Sequence, residues 1–138
     1  MGRIIAIDYG KKRTGIAVTD PMQIIANGLT CVATHELFDF LKQYMQTEQV
    51  ERIVIGKPQK VNGEDSETMK YIVPFVNRLK KSYPNLPIEL IDERFTTKIA
   101  FQAMIDGGVK KKDRNCHNGT VDMVSATIIL QTYMEMNR

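Results

Sequence analysis

The carboxylates that could carry out chemistry in this chain stand where apolar segments begin or end. Asp8 follows the apolar run Ile4–Ile7, and Asp92 and Glu93 follow a second apolar run. Asp122 stands near the start of an apolar C-terminal segment. A carboxylate at the end of a buried strand is costly unless something positive meets it. Acids brought together from three elements would also raise one another's pKa values unless a cation neutralised them.

The ligand types limit the cation and its chemistry. Carboxylate oxygens without His or Cys favour Mg²⁺ or Mn²⁺ over Zn²⁺. His35 and His117 are isolated, and we expect both at the surface. Mg²⁺ and Mn²⁺ typically serve phosphate chemistry, in which they activate a water and stabilise the leaving oxygen. The sequence contains no G-x-x-x-x-G-K-[ST] motif, which disfavours a P-loop nucleotide hydrolase.

The elements that must position these acids form a single domain, residues 1–138, of five strands and four helices. We expect strands at 3–9, 14–20, 24–32, 52–56 and 88–91, and helices at 36–49, 66–82, 96–105 and 121–136. The first three strands are predicted to be antiparallel, and the short apolar strands that follow are typical of a parallel section. The fold class is therefore α/β, with a mixed five-stranded sheet.

Local sequence features add three expectations. Asn27-Gly28 indicates a bulge or turn within the third strand. Pro74 should kink the second helix or break it at Val73. Asp122 shares a helical face with packing residues at i+3, i+4, i+7 and i+11, namely Ser125, Ala126, Ile129 and Tyr133.

The position of each acid can also be explained by a structural role alone. Asp8 could form an Asx-turn ahead of Gly10. Asp92-Glu93-Arg94 could be a rim ion pair, which contributes about 0–1 kcal/mol. Asp122 could be a charge favoured by the dipole at a helix N-terminus. Taken one at a time, the acids leave these alternatives open.

Charge and cysteine content restrict the partners less strongly. The net charge is +3, and the basic residues cluster at Lys11-Lys12-Arg13 and at Lys110-Lys111-Lys112 with Arg114. Such clusters fit a polyanionic partner, although they are more often solvated. Cys31 and Cys116 lack metal-ligand spacing, and we expect free thiols. No run approaches the length of about 18 apolar residues that indicates a membrane span.

Four motifs together resemble the YqgF family, also called RuvX. The first is Ile7-Asp8-Tyr9-Gly10-Lys11-Lys12-Arg13-Thr14-Gly15-Ile16-Ala17, and the second is Gly56-Lys57-Pro58 with Gly63. The third is Asp92-Glu93-Arg94-Phe95-Thr96-Thr97, and the fourth is Val121-Asp122 with Ser125-Ala126-Thr127-Ile128-Ile129-Leu130-Gln131. The resemblance covers essentially the whole chain. Lys57 and Phe95 stand where the family more often has an apolar residue and a leucine.

The resemblance implies an RNase H-like fold with helices on both faces of the sheet. It also implies a hydrolase acting on ester bonds, a nuclease that matures the 5′ end of pre-16S rRNA in the bacterial cytoplasm during ribosome biogenesis. By the same resemblance, the catalytic acids that bind Mg²⁺ or Mn²⁺ would be Asp8, Glu93 (or Asp92) and Asp122. Glu93 is preferred because its longer side chain can reach back from the strand end.

The implied partner is nucleic acid. Phosphates would be contacted, without readout of sequence, by the basic residues Lys11, Lys12, Arg13, Arg94, Lys110, Lys111, Lys112 and Arg114. The expected substrate is structured RNA such as pre-rRNA. The alternatives are resolution of branched DNA (Holliday junctions) and RNA binding without turnover, in ribosome assembly or transcription. We expect no membrane partner, and a monomer or weak homodimer.

Overall fold

The computed structural model describes residues 2–57, 69–92 and 120–136, with Lys57, Asp92 and residues 120–123 described by their backbone alone. Three strands open the chain, a short 3₁₀ turn leads into the first helix, and strands and helices then alternate. The elements are β1 (Arg3–Asp8), β2 (Arg13–Thr19), β3 (Ala26–Ala33), the 3₁₀ turn (Thr34–Glu36), α1 (Leu37–Thr47), β4 (Val50–Lys57), α2 (Met69–Ser82), β5 (Ile88–Asp92) and α3 (Thr120–Met136).

The five strands form one mixed sheet in the order β3-β2-β1-β4-β5. β1 pairs with β2, and β2 with β3, in antiparallel directions, whereas β1–β4 and β4–β5 are parallel. The predicted sheet, with antiparallel strands followed by parallel ones, is therefore confirmed.

The third strand begins later than predicted. Ile24 and Ile25 belong to the preceding turn, because their backbone N–H groups donate to Asp20 Oδ1 at 2.7 and 2.8 Å. The predicted bulge is confirmed, since the β2–β3 register shifts between Ile16 and Ala17, opposite Thr30 and Gly28. One residue of β3 is thus left without a partner across the ladder.

Two apolar cores lie on opposite faces of the sheet, as the alternation of strand side chains requires. On one face, Ile5 and Ile7 of β1 pack with buried residues of α1 and α2, namely Leu37, Leu41, Ile72, Val76 and Leu79. On the other face, Ile4 and Ala6 pack with α3 through Ala126, Ile129, Leu130 and Tyr133. Helices therefore cover both faces, as the resemblance implies.

Two expectations about individual residues are contradicted, namely a break of the second helix at Val73 and a free thiol at Cys31. α2 runs unbroken from Met69 to Ser82 with Pro74 inside it, so the proline does not end the helix at Val73. Pro74 lies on the exposed side of α2, where water can hydrate the carbonyl that the proline leaves without a donor. Cys31 on β3 is disulfide-bonded, which contradicts the expected free thiol.

The predicted helix at 96–105 lies outside the described residues. Within the part of the chain that the structure describes, no helix combines the length and the apolarity needed to cross a membrane.

Candidate active site

In the parallel part of the sheet, β1 and β5 finish at the same end of the sheet. Ile7 of β1 pairs with Ile55 of β4, which in turn pairs with Leu90 of β5. Counting one residue onward, Asp8 lies level with Ile91, next to the backbone of Asp92. Because one strand separates β1 from β5, the backbones of positions 8 and 92 are about 10 Å apart. The ends of β1 and β5 therefore lie at the same end of the sheet, one strand apart.

The face of the sheet on which Asp8 lies is the one covered by α3. Ile4 and Ala6 pack against α3, and Asp8 is the next residue of β1 with the same parity. Asp8 is partly exposed, whereas the four residues before it are buried. The strand therefore carries its terminal carboxylate out of the core to the rim of the sheet.

The direction of α3 places its N-terminal turn toward that rim. Tyr133, near the C-terminus of α3, accepts a hydrogen bond from Arg52, near the start of β4. Because β1 and β4 are parallel, Arg52 lies at the end of the sheet where both strands start, and Asp8 lies at the end where both strands finish. From Tyr133 back to Asp122 the helix rises about 16 Å, and β4 rises about 13 Å from Arg52 to Gly56. Position 122 therefore lies at the same end of the sheet as Asp8.

A polar group of three residues fixes α3 on the sheet. Arg52 donates to the hydroxyl of Tyr133 and forms an ion pair with Glu89 of β5, with 3.5 Å between Nη1 and Oε2. The pKa of Tyr133 is raised by burial and by its hydrogen bond to Glu89, so the hydroxyl stays protonated at neutral pH. The group ties α3 to β4 and β5 and sets the position of its N-terminal turn.

The turn that follows Asp8 is held by hydrogen bonds to the 3₁₀ turn. The hydroxyl of Thr34 donates to the carbonyl of Gly10 at 2.7 Å and lies 2.9 Å from the hydroxyl of Thr14. The N–H of Thr34 donates to the carbonyl of Lys12 at 2.9 Å. Position 10 requires glycine, because a Cβ there would lie 2.4 Å from the carbonyl oxygen of Arg13.

Basic and aromatic side chains surround the same turn. Lys11, Lys12 and Arg13 are exposed. The Lys11 ammonium lies 5.6 Å from the ring centre of Tyr71, which belongs to the first turn of α2. The rim therefore presents positive charge close to Asp8, on the face of the sheet that α2 covers.

The structure thus brings three of the predicted acid positions and three of the predicted basic positions to one end of the sheet. Asp8, the backbone of Asp92 and the N-terminal turn of α3 with Asp122 occupy one end of the sheet, beside Lys11–Arg13. The other predicted residues, namely Glu93, Arg94, Lys110, Lys111, Lys112 and Arg114, lie outside the described residues. Within the part that is described, no group of three His, Cys, Asp or Glu side chains is placed to hold a metal ion. The ligand set therefore stays a prediction.

Sequence reasoning missed the supporting residues. Arg52, Glu89 and Tyr133 meet only after the chain has folded, so no local motif contains them. Thr34 is separated from Gly10 by 24 positions, and its type alone indicates nothing. The periodicity of α3 did show that Tyr133 faces the core, which is the one clue to this group.

Comparison with known proteins gives both a family and a fold. The model of the RuvX family, described as Holliday junction resolvase, matches residues 2–136. A protein of Phocaeicola vulgatus named "Putative pre-16S rRNA nuclease" is 59% identical over 138 residues, covering 100% of this chain and 99% of that protein. A protein of Flavobacterium johnsoniae with the same name is 51% identical over the same coverage.

Solved structures with low sequence identity share the fold. The fowlpox virus Holliday junction resolvase superposes with a TM-score of 0.58 at 12% identity, covering 99% of each chain. T. thermophilus RuvC, in complex with a Holliday junction substrate, gives a TM-score of 0.58 at 15% identity, covering 99% of this chain and 96% of that one. The expected RNase H-like sheet is thereby confirmed.

Proposed function

Because the chain belongs to the RuvX family, we propose that it is a divalent-metal-dependent nuclease that hydrolyses RNA phosphodiesters during 5′-end processing of pre-16S rRNA. The observation that carries the proposal is full-length identity of 50–59% to relatives that bear the nuclease name. The position of Asp8 at the rim of the sheet supports it, because that position is open to a phosphate backbone.

We assign the metal-binding and catalytic acids to Asp8, Glu93 and Asp122. Along β5, Ile91 packs on the α3 side of the sheet, whereas Ile88 packs on the α1 and α2 side. Because side chains alternate along a strand, the odd-numbered residues of β5 share the sheet face on which Asp8 lies. If the alternation continues by one residue, Glu93 lies on that face and Asp92 does not, which favours Glu93. This preference agrees with the one based on the longer side chain of Glu93.

The residue types fit Mg²⁺ or Mn²⁺. The three positions supply only carboxylate oxygens, which favour these ions over Zn²⁺. A bound divalent ion would supply charge stabilisation at phosphorus and a more acidic water. The chain itself holds Asp8 on a strand anchored between β2 and β4, and it holds Asp122 on a helix tied to the sheet by Tyr133.

Phosphate contacts are proposed for the basic residues at this rim. Lys11, Lys12 and Arg13 are exposed on a turn whose backbone is fixed by Thr34. A rigid basic turn positions a nucleic-acid strand without reading its sequence. Arg94 and the basic residues at 110–114 are proposed for the same role on the strength of the family resemblance.

The second candidate function is resolution of branched DNA. It is favoured by the description of the family and by the fold shared with two resolvases. Shared fold alone does not assign a substrate, and the relatives with the highest identity bear the rRNA nuclease name. RNA binding without turnover is the third reading, and it predicts that neutralising the acids leaves RNA affinity intact and yields no metal-stimulated product.

One experiment separates the three. A pre-16S leader fragment and a four-way DNA junction are incubated side by side with the protein and Mg²⁺ or Mn²⁺, with Asp122→Asn as the inactive variant. We expect metal-dependent cleavage of the RNA that Asp122→Asn abolishes while retaining the fold by circular dichroism. Preferred cutting of the junction would favour the resolvase. RNA binding with no cleavage of either substrate would favour the third reading.

Location and assembly follow as proposals. A nuclease of pre-16S rRNA works where ribosomes are assembled, so the proposed location is the cytoplasm. The disulfide at Cys31 gives no support for that location, since disulfides are rare in a reducing compartment. We expect a monomer or weak homodimer, which light scattering at micromolar concentration would check.

A further inference from the structure

An exposed tyrosine stands beside the basic turn at the candidate site. Tyr71, in the first turn of α2, keeps 50% of its surface exposed. The ammonium of Lys11 lies 5.6 Å from the centre of its ring. We call Tyr71 and Lys11 the rim pair. A cation–π contact at an exposed site is worth about 0.5–1 kcal/mol, so it adds little to the stability of the fold.

The rim pair rests on a rigid aromatic base. One turn further along α2, the ring of Phe75 contacts the ring of Tyr9, with 5.5 Å between their centres. Tyr9 directly follows Asp8, and its pKa is raised by burial and then by Tyr71. Tyr71 is therefore held at the strand end that carries Asp8, on the face of the sheet that α2 covers. Lys11 is three residues from Asp8, so the two backbones are at most about 11 Å apart.

Four cations lie in the two described segments that carry the rim pair. In residues 9–13 and 69–76, every charged side chain is basic and exposed, and these are Lys11, Lys12, Arg13 and Lys70. An exposed aromatic ring with a cation beside it and further cations in the same two segments matches a nucleotide, whose base offers a π-face and whose phosphate offers negative charge. An apolar protein partner would not match four cations.

We propose that the rim pair binds an unpaired nucleotide of the substrate next to the phosphate that is cut. The base stacks on the Tyr71 ring, and the Lys11 ammonium binds the adjoining phosphate. A base within a continuous duplex has no free face for such stacking, so the substrate class is nucleic acid with a single-stranded segment at the cleavage site. The inference rests on the proposed function, which it narrows to that substrate class.

The absence of tryptophan from the chain allows a direct test of stacking. Tyr71→Trp introduces one fluorescent reporter, and Val73→Trp, at an exposed position on the same helix, is its matched control. Both are titrated in EDTA with a single-stranded 12-mer RNA, the same RNA made abasic, a 12-mer duplex, and a single-stranded DNA 12-mer. We expect the fluorescence of Tyr71→Trp to be quenched by the two single strands, not by the abasic strand or the duplex, and Val73→Trp to be unaffected.

Affinity measurements test the energy of the contact. Tyr71→Ala should weaken binding of the single strand about tenfold, whereas Tyr71→Phe should stay within about twofold because the ring remains. Lys11→Ala should lower the slope of log K against log salt by about 0.7. Val73→Ala, the matched control on α2, should bind as wild type.

The outcomes distinguish this inference from the proposed function. Wild-type affinity in Tyr71→Ala, or equal quenching by intact and abasic strands, overturns the role of the rim pair alone. Binding of neither single strand nor duplex by the wild-type protein overturns the proposed function as well. The binding titrations are made in EDTA, where no metal-dependent cleavage occurs. Their interpretation therefore does not depend on the outcome of the cleavage assay. Preference between RNA and DNA is read from the two single-stranded arms.

Discussion

Substitution of Gly10 by alanine should loosen the turn that follows Asp8. The new Cβ would lie 2.4 Å from the carbonyl oxygen of Arg13, whereas real Cβ atoms essentially never approach within 3.0 Å. The atom it meets belongs to the backbone, so the turn itself must move by at least about 0.6 Å, the difference between these distances. Relief by a change of rotamer is not available.

The movement threatens two hydrogen bonds of Thr34. Its hydroxyl donates to Gly10 and its N–H donates to Lys12, at 2.7 and 2.9 Å. Each such bond contributes about 1 kcal/mol net, so we expect Gly10→Ala to lower the free energy of unfolding by about 2 kcal/mol. In a chain of 138 residues this lowers Tm by about 6–8 °C.

A double-mutant cycle with Thr34→Val tests the mechanism by urea unfolding. If the alanine already breaks the Thr34 bonds, the two substitutions together should cost clearly less than the sum of the single effects. Thr34→Ser keeps the hydroxyl and serves as the control. In that background, Gly10→Ala should lower the free energy of unfolding by as much as it does in the wild-type protein. A loss below about 0.5 kcal/mol for Gly10→Ala, or strict additivity in the cycle, would refute the reasoning.

Two further predictions concern residues that sequence reasoning did not identify. Tyr133→Phe removes the hydroxyl that Arg52 and Glu89 share and should lower the free energy of unfolding by about 1–2 kcal/mol; Tyr83→Phe, an unrelated tyrosine, is the control in the same urea series. Hydrogen bonds from the backbone N–H of Ile25 and then its neighbours lower the pKa of Asp20, so its contribution is complete above the unfolded pKa of about 4 and disappears as pH falls through the folded value. The stability difference between wild type and Asp20→Ala should therefore be constant above pH 5 and shrink in more acidic solution; a pH-independent difference would contradict it.

Strand and helix periodicity predicted most of the fold. Alternation and short apolar runs placed β1, β2, β4 and β5, and the periodicity of α3 gave its buried face. The start of β3 was misplaced because the carboxylate of Asp20 takes the N–H groups of Ile24 and Ile25, a side-chain interaction that apolar patterning does not reveal. Pro74 was expected to kink α2 or to break it at Val73. The break does not occur, because the cost of a proline is reduced where the helix is exposed to water.

The candidate site was predicted in part. The strand-end position of Asp8 and the inward face of α3 follow from local patterns, and the sheet order then brings them to one end. What holds them there depends on contacts between residues far apart in sequence, such as Tyr133 with Arg52, 81 positions apart. The disulfide of Cys31 was missed for the same reason, since cysteine spacing alone does not show which thiols meet.

The central claim is that Asp8 is a metal-binding catalytic acid of an RNA nuclease. The most direct test is the Mn²⁺-dependent cleavage rate of a pre-16S leader fragment by Asp8→Asn. Asp39→Asn, which changes an exposed carboxylate on α1, is the matched control. The account predicts a loss of at least about a hundredfold for Asp8→Asn, with native circular dichroism and an unchanged rate for Asp39→Asn. Cleavage by Asp8→Asn at the wild-type rate would contradict it.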